Sequence, residues 1–165
     1  NRRCMYIGND ISCFHEEILS SSRRIFKKQI KKYNMKITKE LLDELSNKAS
    51  VSPRLRTNLD LRNNEDDTSQ RMLNALQIGT VVPIHRHRQS SETLIVIRGS
   101  IKETYFDEEG NITETIEVNA NGPIYGINIP KGQWHTLEAL EPDTIIIETK
   151  NGKYEPTNPE DILSI

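Results

Sequence analysis

Two imidazoles two residues apart, followed by a carboxylate and bracketed by glycines, constrain this chain more than any other feature. The run Gly79-Thr-Val-Val-Pro-Ile-His85-Arg-His87-Arg-Gln-Ser-Ser-Glu92 closes on Gly99 after six further residues. The histidines stand in a segment that reads as strand, where side chains at i and i+2 share one sheet face. Glu92 opens the next apolar run, Thr-Leu-Ile-Val-Ile, and returns to the same face after a short turn. A further imidazole ends Pro130-Lys-Gly132-Gln-Trp-His135, so three of the four histidines fall inside two short motifs.

Three imidazole nitrogens and one carboxylate oxygen form a borderline donor set suited to Fe(II), Mn(II), Ni(II), Co(II) or Zn(II). The set is too rich in nitrogen for Ca(II) or Mg(II), which prefer oxygen. Four protein donors, His85, His87, Glu92 and His135, on one octahedral divalent ion would leave about two positions for water or substrate. The competing reading is a hydrogen-bonded polar layer without an ion. Burying three imidazoles and a carboxylate together is costly unless all are partnered, and a metal removes that cost directly.

With 165 residues the chain can bury one adequate core, and a second independent domain is not expected. No apolar run reaches membrane-spanning length and no secretory leader is visible. The two cysteines, Cys4 and Cys13, read as free thiols of a reducing compartment, which points to the cytoplasm. His15 beside them lacks partners at zinc-finger spacing. The net charge of −2 hides an asymmetry: residues 1–34 carry eight Lys or Arg against three acids, and residues 35–165 carry fourteen against twenty-one. The acidic body argues against a nucleic-acid surface. The basic stretch from Arg23 to Lys32 reads as the solvated face of a helix whose apolar side is Ile18, Phe26 and Ile30, rather than a membrane contact.

Met35-Lys-Ile-Thr-Lys-Glu-Leu-Leu resembles an ordinary protein start, so residues 1–34 are expected to be a helical upstream or non-native extension with little part in function. Thr38 is a plausible N-cap for a helix to about Lys48 with an apolar stripe of Leu41, Leu42 and Leu45, and Ser52-Pro53 ends it. Residues 54–69 read as an irregular connection, long for a compact domain and suited to covering a pocket mouth. From Gln70 the periodicity is that of short strands, at about 70–77, 80–86, 92–98, 100–106, 112–118, 124–129, 134–140 and 143–149. Asp107-Glu-Glu-Gly110-Asn111 and Pro130-Lys131-Gly132 read as tight turns. Many strands at short spacing imply a mainly β protein, a jelly-roll barrel with closed edges over 70–149, preceded by N-terminal helices and followed by a tail, 150–165, draped outside.

The two motifs resemble the paired signatures of the cupin superfamily. The first, Gly, five residues, His-x-His, three or four residues, Glu, six residues, Gly, is met in full by Gly79, His85, His87, Glu92 and Gly99. In the second, Pro130, Gly132 and His135 match; the leading glycine is displaced, since Gly126 is four positions before Pro130, and Ala139 replaces a closing Asn. From Met35 onward the chain further resembles the WbuC-type cupin-fold metalloproteins associated with O-antigen polysaccharide genes. That likeness rests on Ser52-Pro53-Arg54, Arg56-x-Asn58-Leu59, Gln70-Arg71-Met72-Leu-Asn-Ala-Leu, Pro83-x-His85-Arg86-His87, Ile129-Pro130 with Trp134-His135-Thr136-Leu137, and Lys150-Asn-Gly-x-Tyr154-x-Pro156. Asp60 departs from it, standing where His is expected. The resemblance implies a setting in lipopolysaccharide surface-sugar synthesis and assigns no reaction.

The expected function is therefore a metal-dependent enzyme, an isomerase, epimerase or oxygenase, acting on a small polar metabolite such as a sugar or nucleotide-sugar intermediate. A non-catalytic small-molecule-binding cupin and a metal-free sugar isomerase are the alternatives. Arg56, Arg71 and Arg88 are candidates to hold a carboxylate or phosphate. Tyr105 or Tyr125 is a candidate general acid. Gln133 and Leu137 share the face of His135 and are expected to line its cavity, with Leu94 and Val96 as an apolar floor and Trp134 turned outward. Each has an ordinary packing or salt-bridging role as its competing reading. A homodimer paired through its sheets is expected, with neither nucleic acid nor membrane as partner.

Overall fold

The computed structural model describes residues 35–164. Residues 37–164 belong to one compact unit. The helix, thiols and His15 expected within residues 1–34 lie outside the described residues.

The first element, α1 (Lys39–Ser50), starts where a side chain can satisfy its free N–H groups: Thr38 accepts from the Leu41 amide at 3.4 Å. Its apolar stripe at three- and four-residue spacing, Leu42, Leu45 and Ala49, is buried. No described helix is long and apolar enough to cross a membrane.

Ten strands follow: β1 (Arg56–Asp60), β2 (Ser69–Leu76), β3 (Ile84–His85), β4 (Glu92–Arg98), β5 (Ser100–Phe106), β6 (Ile112–Asn119), β7 (Gly126–Ile129), β8 (Trp134–Ala139), β9 (Thr144–Asn151) and β10 (Ile162–Leu163). They form two antiparallel five-stranded sheets, ordered β1-β2-β9-β4-β7 and β10-β3-β8-β5-β6. Strand alternation divides the side chains between two cores. Leu94, Val96, Ile101, Val118, Leu137 and Ile146 pack together in one, and Leu73, Ala75 and Ile145 pack beneath α1 in the other. Neighbouring Ile145 and Ile146, both fully buried, thus serve opposite faces of one strand.

The mainly β jelly-roll architecture agrees with the sequence reading, and three details correct it. The sheets are not closed: β1 and β7 flank the first sheet, β10 and β6 the second. The 54–69 connection is not wholly irregular, because β1 lies within it and pairs antiparallel to β2, Asn58 opposite Asn74. The tail is not merely draped, because β9 runs to Asn151 and β10 pairs with β3 after a short 3₁₀ turn, Pro159–Asp161.

The motif-closing glycine has a steric reason. Gly99 takes a φ of 73°, and a Cβ there would collide with the side chain of Thr144. The β5–β6 connection is built by Asp107, whose carboxylate accepts from the amides of Glu109 at 3.0 Å and Asn111 at 2.8 Å.

Candidate metal centre

The strands bring the two histidine motifs side by side. His85 on β3 stands directly opposite His135 on β8, and cross-strand partners share a face. The Pro130–Gly132 turn is stitched to the first motif, since the Gly132 amide donates to the His87 carbonyl at 2.9 Å. Ring centroids are 4.4 Å apart for His85 and His135, 5.0 Å for His85 and His87, and 5.7 Å for His87 and His135. One nitrogen from each of the three rings lies within 4.8 Å of the others, so the three can hold a metal ion.

The protons on these rings are placed by their neighbours. His85 Nδ1 is 3.0 Å from the Pro83 carbonyl, and His135 Nδ1 is 2.9 Å from the Gln133 carbonyl. A carbonyl oxygen only accepts, so both Nδ1 atoms carry hydrogen and both Nε2 atoms offer a lone pair, the form in which histidine binds metal. Burial, together with the neighbouring imidazoles His135 and His87, lowers His85 to about 4. Burial also lowers His135. Both are neutral near pH 7.

Glu92 opens β4 in the opposite sheet and is almost fully buried. Its Oε2 lies 2.9 Å from His87 Nε2 and 3.5 Å from Lys150 Nζ, while Lys150 Nζ is 3.1 Å from His87 Nε2. Burial alone would raise this carboxyl, but the contact with His87 and the charge of Lys150 outweigh it and hold the group at about 2. When Nε2 of His87 accepts from Lys150 it carries no hydrogen to donate, and Glu92 Oε2 is left without a hydrogen-bond partner. A buried carboxylate oxygen and imidazole lone pairs gathered in one place fit a cation. Glu92 contacts His87 but stands outside the close group of three nitrogens.

The imidazoles border a cavity of about 250 Å³. Leu94 and Leu137 line it as expected, and Val96 packs in the adjoining core. Arg56 also lines it, with its guanidinium donating to the Val81 carbonyl at 2.9 Å, and Arg54 and Asn58 beside it give the 54–69 segment its place at the wall. The other candidates are engaged elsewhere. Arg71 pairs with Asp67 at 2.6 Å, and Arg88 pairs with Asp161. The Gln133 amide donates to the Phe106 and Trp134 carbonyls, each at 2.9 Å, so it does not line the cavity. Tyr105 sits opposite His135 in register, yet it is not among the lining residues, nor is exposed Tyr125. Trp134 turns outward as expected, with the Arg86 guanidinium 4.2 Å over its ring.

Sequence reasoning missed Glu103, Glu148 and Lys150, which also line this cavity. A signal existed in the strand parity: Ile101 and Glu103 share a face of β5, and Ile146, Glu148 and Lys150 share one of β9. Burial, with the nearby charge of Glu92, raises Glu103 to about 9 and Glu148 to about 8.

Comparison with known proteins bears on the fold. A family described as a domain of unknown function (DUF6016) matches residues 37–118. None of the curated proteins matches the sequence. Among solved structures, KdgF from Halomonas sp. is similar with a TM-score of 0.50 at 19% identity, over 63% of this chain and 85% of that one. CapF of Staphylococcus aureus, a capsular polysaccharide assembling protein, is similar with a TM-score of 0.53 at 22% identity, over 68% of this chain. The match takes in only 32% of CapF. A recombinant oxalate oxidase in complex with glycolate is similar with a TM-score of 0.51 at 13% identity, over 65% of this chain and 56% of that one. These neighbours are cupin-fold proteins, and at such identities the likeness is one of fold.

Proposed function

We propose that this cupin-fold chain is a metal-dependent enzyme acting on a small polar metabolite, with His85, His87, His135 and Glu92 as the ligands of one divalent transition metal. The observation that carries the reading is the convergence of three imidazole nitrogens within 4.8 Å beside a buried carboxylate. The Nδ1 contacts of His85 and His135 support it, because they fix the tautomer a metal needs. An ion held there would supply Lewis-acid chemistry to a molecule in the cavity. The chain's own groups do the rest. Leu94 and Leu137 exclude water from one side, and Arg56 and Lys150 bring positive charge to the lining.

The finer parts of the proposal are a sugar or nucleotide-sugar substrate and a setting in surface-polysaccharide synthesis. They are supported by the WbuC-type residues from Met35 onward and, loosely, by the occurrence of this fold in CapF. The proposal includes a cytoplasmic homodimer. Its support is an exposed apolar group at one end of the first sheet, Ile95, Ile124 and Tyr125.

Elemental analysis of protein purified without chelator is expected to find about one Fe, Mn, Ni, Co or Zn per chain, and His87→Ala together with His135→Ala should abolish it. Turnover of nucleotide-sugars by the intact protein, lost in His87→Ala, would separate an enzyme from a cupin that only binds. Protein that holds no ion and still turns a sugar over would overturn the metal-dependent reading.

A further inference from the structure

The cavity contains one group that neither the metal ligands nor the fold explains. Glu103 lies on the inner face of β5, opposite Leu137 on β8 and diagonal to His135. It is 0% exposed, and neither carboxyl oxygen has a hydrogen-bond partner among the described residues. Its register partner on the other side, Ile116, is apolar. Leaving a buried polar group without a partner is costly, and a sequence seeking stability alone would place Leu or Met there. Of the other buried acids of the cavity, Glu92 lies against His87 and Lys150 and is one of the proposed ligands, and Glu148 has Asn74 as a hydrogen-bond partner.

We propose that Glu103 is a specificity-determining residue that recognises a hydroxyl group on the molecule bound at the metal centre. Burial holds the carboxyl in its protonated form at neutral pH. It then offers one donor and one acceptor side by side, the same complement that a hydroxyl presents. Arg54, Arg56 and Lys150 line the same cavity. Together with a divalent ion they outnumber the ionised acids there, so the ligand class is a small hydroxylated acid whose carboxylate meets the cations and whose hydroxyl meets Glu103. The inference rests on the proposed metal-centre reading for the anchoring of the acid group, while the recognition of the hydroxyl belongs to Glu103.

The test compares binding of glycerate, lactate and propionate to the full-length, metal-loaded protein by calorimetry, with metal content measured on the same samples. The wild type should prefer the hydroxylated acids by about tenfold or more, the worth of one hydrogen bond to a buried group. Glu103→Leu should bring the three acids to equal affinity with metal content unchanged. Glu103→Gln, which keeps a donor and an acceptor side by side, should retain the preference. Absence of a preference in the wild type, or its survival in Glu103→Leu, overturns the inference. Should Glu103→Leu not fold, Glu103→Met takes its place, and failure of both to fold makes the carboxyl structural and overturns the inference as well. Metal content reports separately on the parent reading: a loaded protein without hydroxyl preference defeats this inference alone, and a hydroxyl preference in protein that holds no ion defeats the metal assignment alone.

Discussion

A carboxyl that keeps its proton in the fold and loses it in the unfolded chain leaves a signature in stability. Glu103 is raised to about 9 from 4.5. Between these values the folded state binds a proton that the unfolded state has released, so stability falls as pH rises through the window and levels off above it. Glu103→Gln removes this dependence. Urea unfolding at about pH 5.5 and about pH 8 should show the variant gaining on the wild type by about 3 kcal/mol between the two. A parallel decline in both proteins would show that Glu103 is ionised throughout. The same residue marks the limit of legibility at this scale. His85, His87, Glu92 and His135 could be read because their spacing is a strand-and-turn geometry written in sequence. A single Glu within Ser100-Ile-Lys-Glu-Thr-Tyr-Phe shares the face of Ile101, but parity alone does not say which face is inner, and the pairing with Leu137 identifies it.

At the scale of elements, β3, which carries the proposed ligand His85, is only two residues long and depends on what flanks it. On one side stands β8; on the other β10 pairs Ile162 with His85, and the Asp161 carbonyl accepts from the Arg86 amide at 3.1 Å. The Asp161 carboxylate, itself buried, meets Arg86 Nε at 3.2 Å and Arg88 Nε more closely still. The arginines on either side of His87 are therefore tied to one acid. Groups that orient metal ligands typically contribute 10–100-fold in affinity. Removing residues 158–165 should accordingly weaken metal binding by about 10–100-fold in chelator competition, and Asp161→Asn should weaken it less. Unchanged affinity in the truncated protein would show that β8 alone holds His85. Eight strands were legible because turn residues bracket them at short intervals. The other two, β1 and β10, carry no pattern of their own: Arg56-Thr-Asn-Leu-Asp has polar residues at both ends, and Ile162-Leu163 is too short to show a period. Each owes its form to the strand beside it.

Across the whole molecule the two cores divide stability from chemistry. Leu45 on α1 packs with Leu73, Ala75 and Ile145, in a cluster separate from the core that adjoins the cavity. Leu45→Ala should cost about 2–5 kcal/mol in denaturant unfolding while leaving metal affinity unchanged, because distant sites without shared partners add independently. Coupled losses would mean that the outer cluster sets the geometry of the inner one. The sequence announced a β-rich fold but not the open edges, since closure depends on pairing between strands far apart in the chain. The proposed donors are likewise split, with His85 and His135 in one sheet and Glu92 in the other. An order of maturation follows. A nascent polypeptide that has emerged as far as Glu92 must extend by more than forty residues before His135 is available, and the halves must then face each other. Under the proposed assignment, an ion could be held by all four donors only after translation of this region, so metals would compete for a folded site rather than for an emerging peptide.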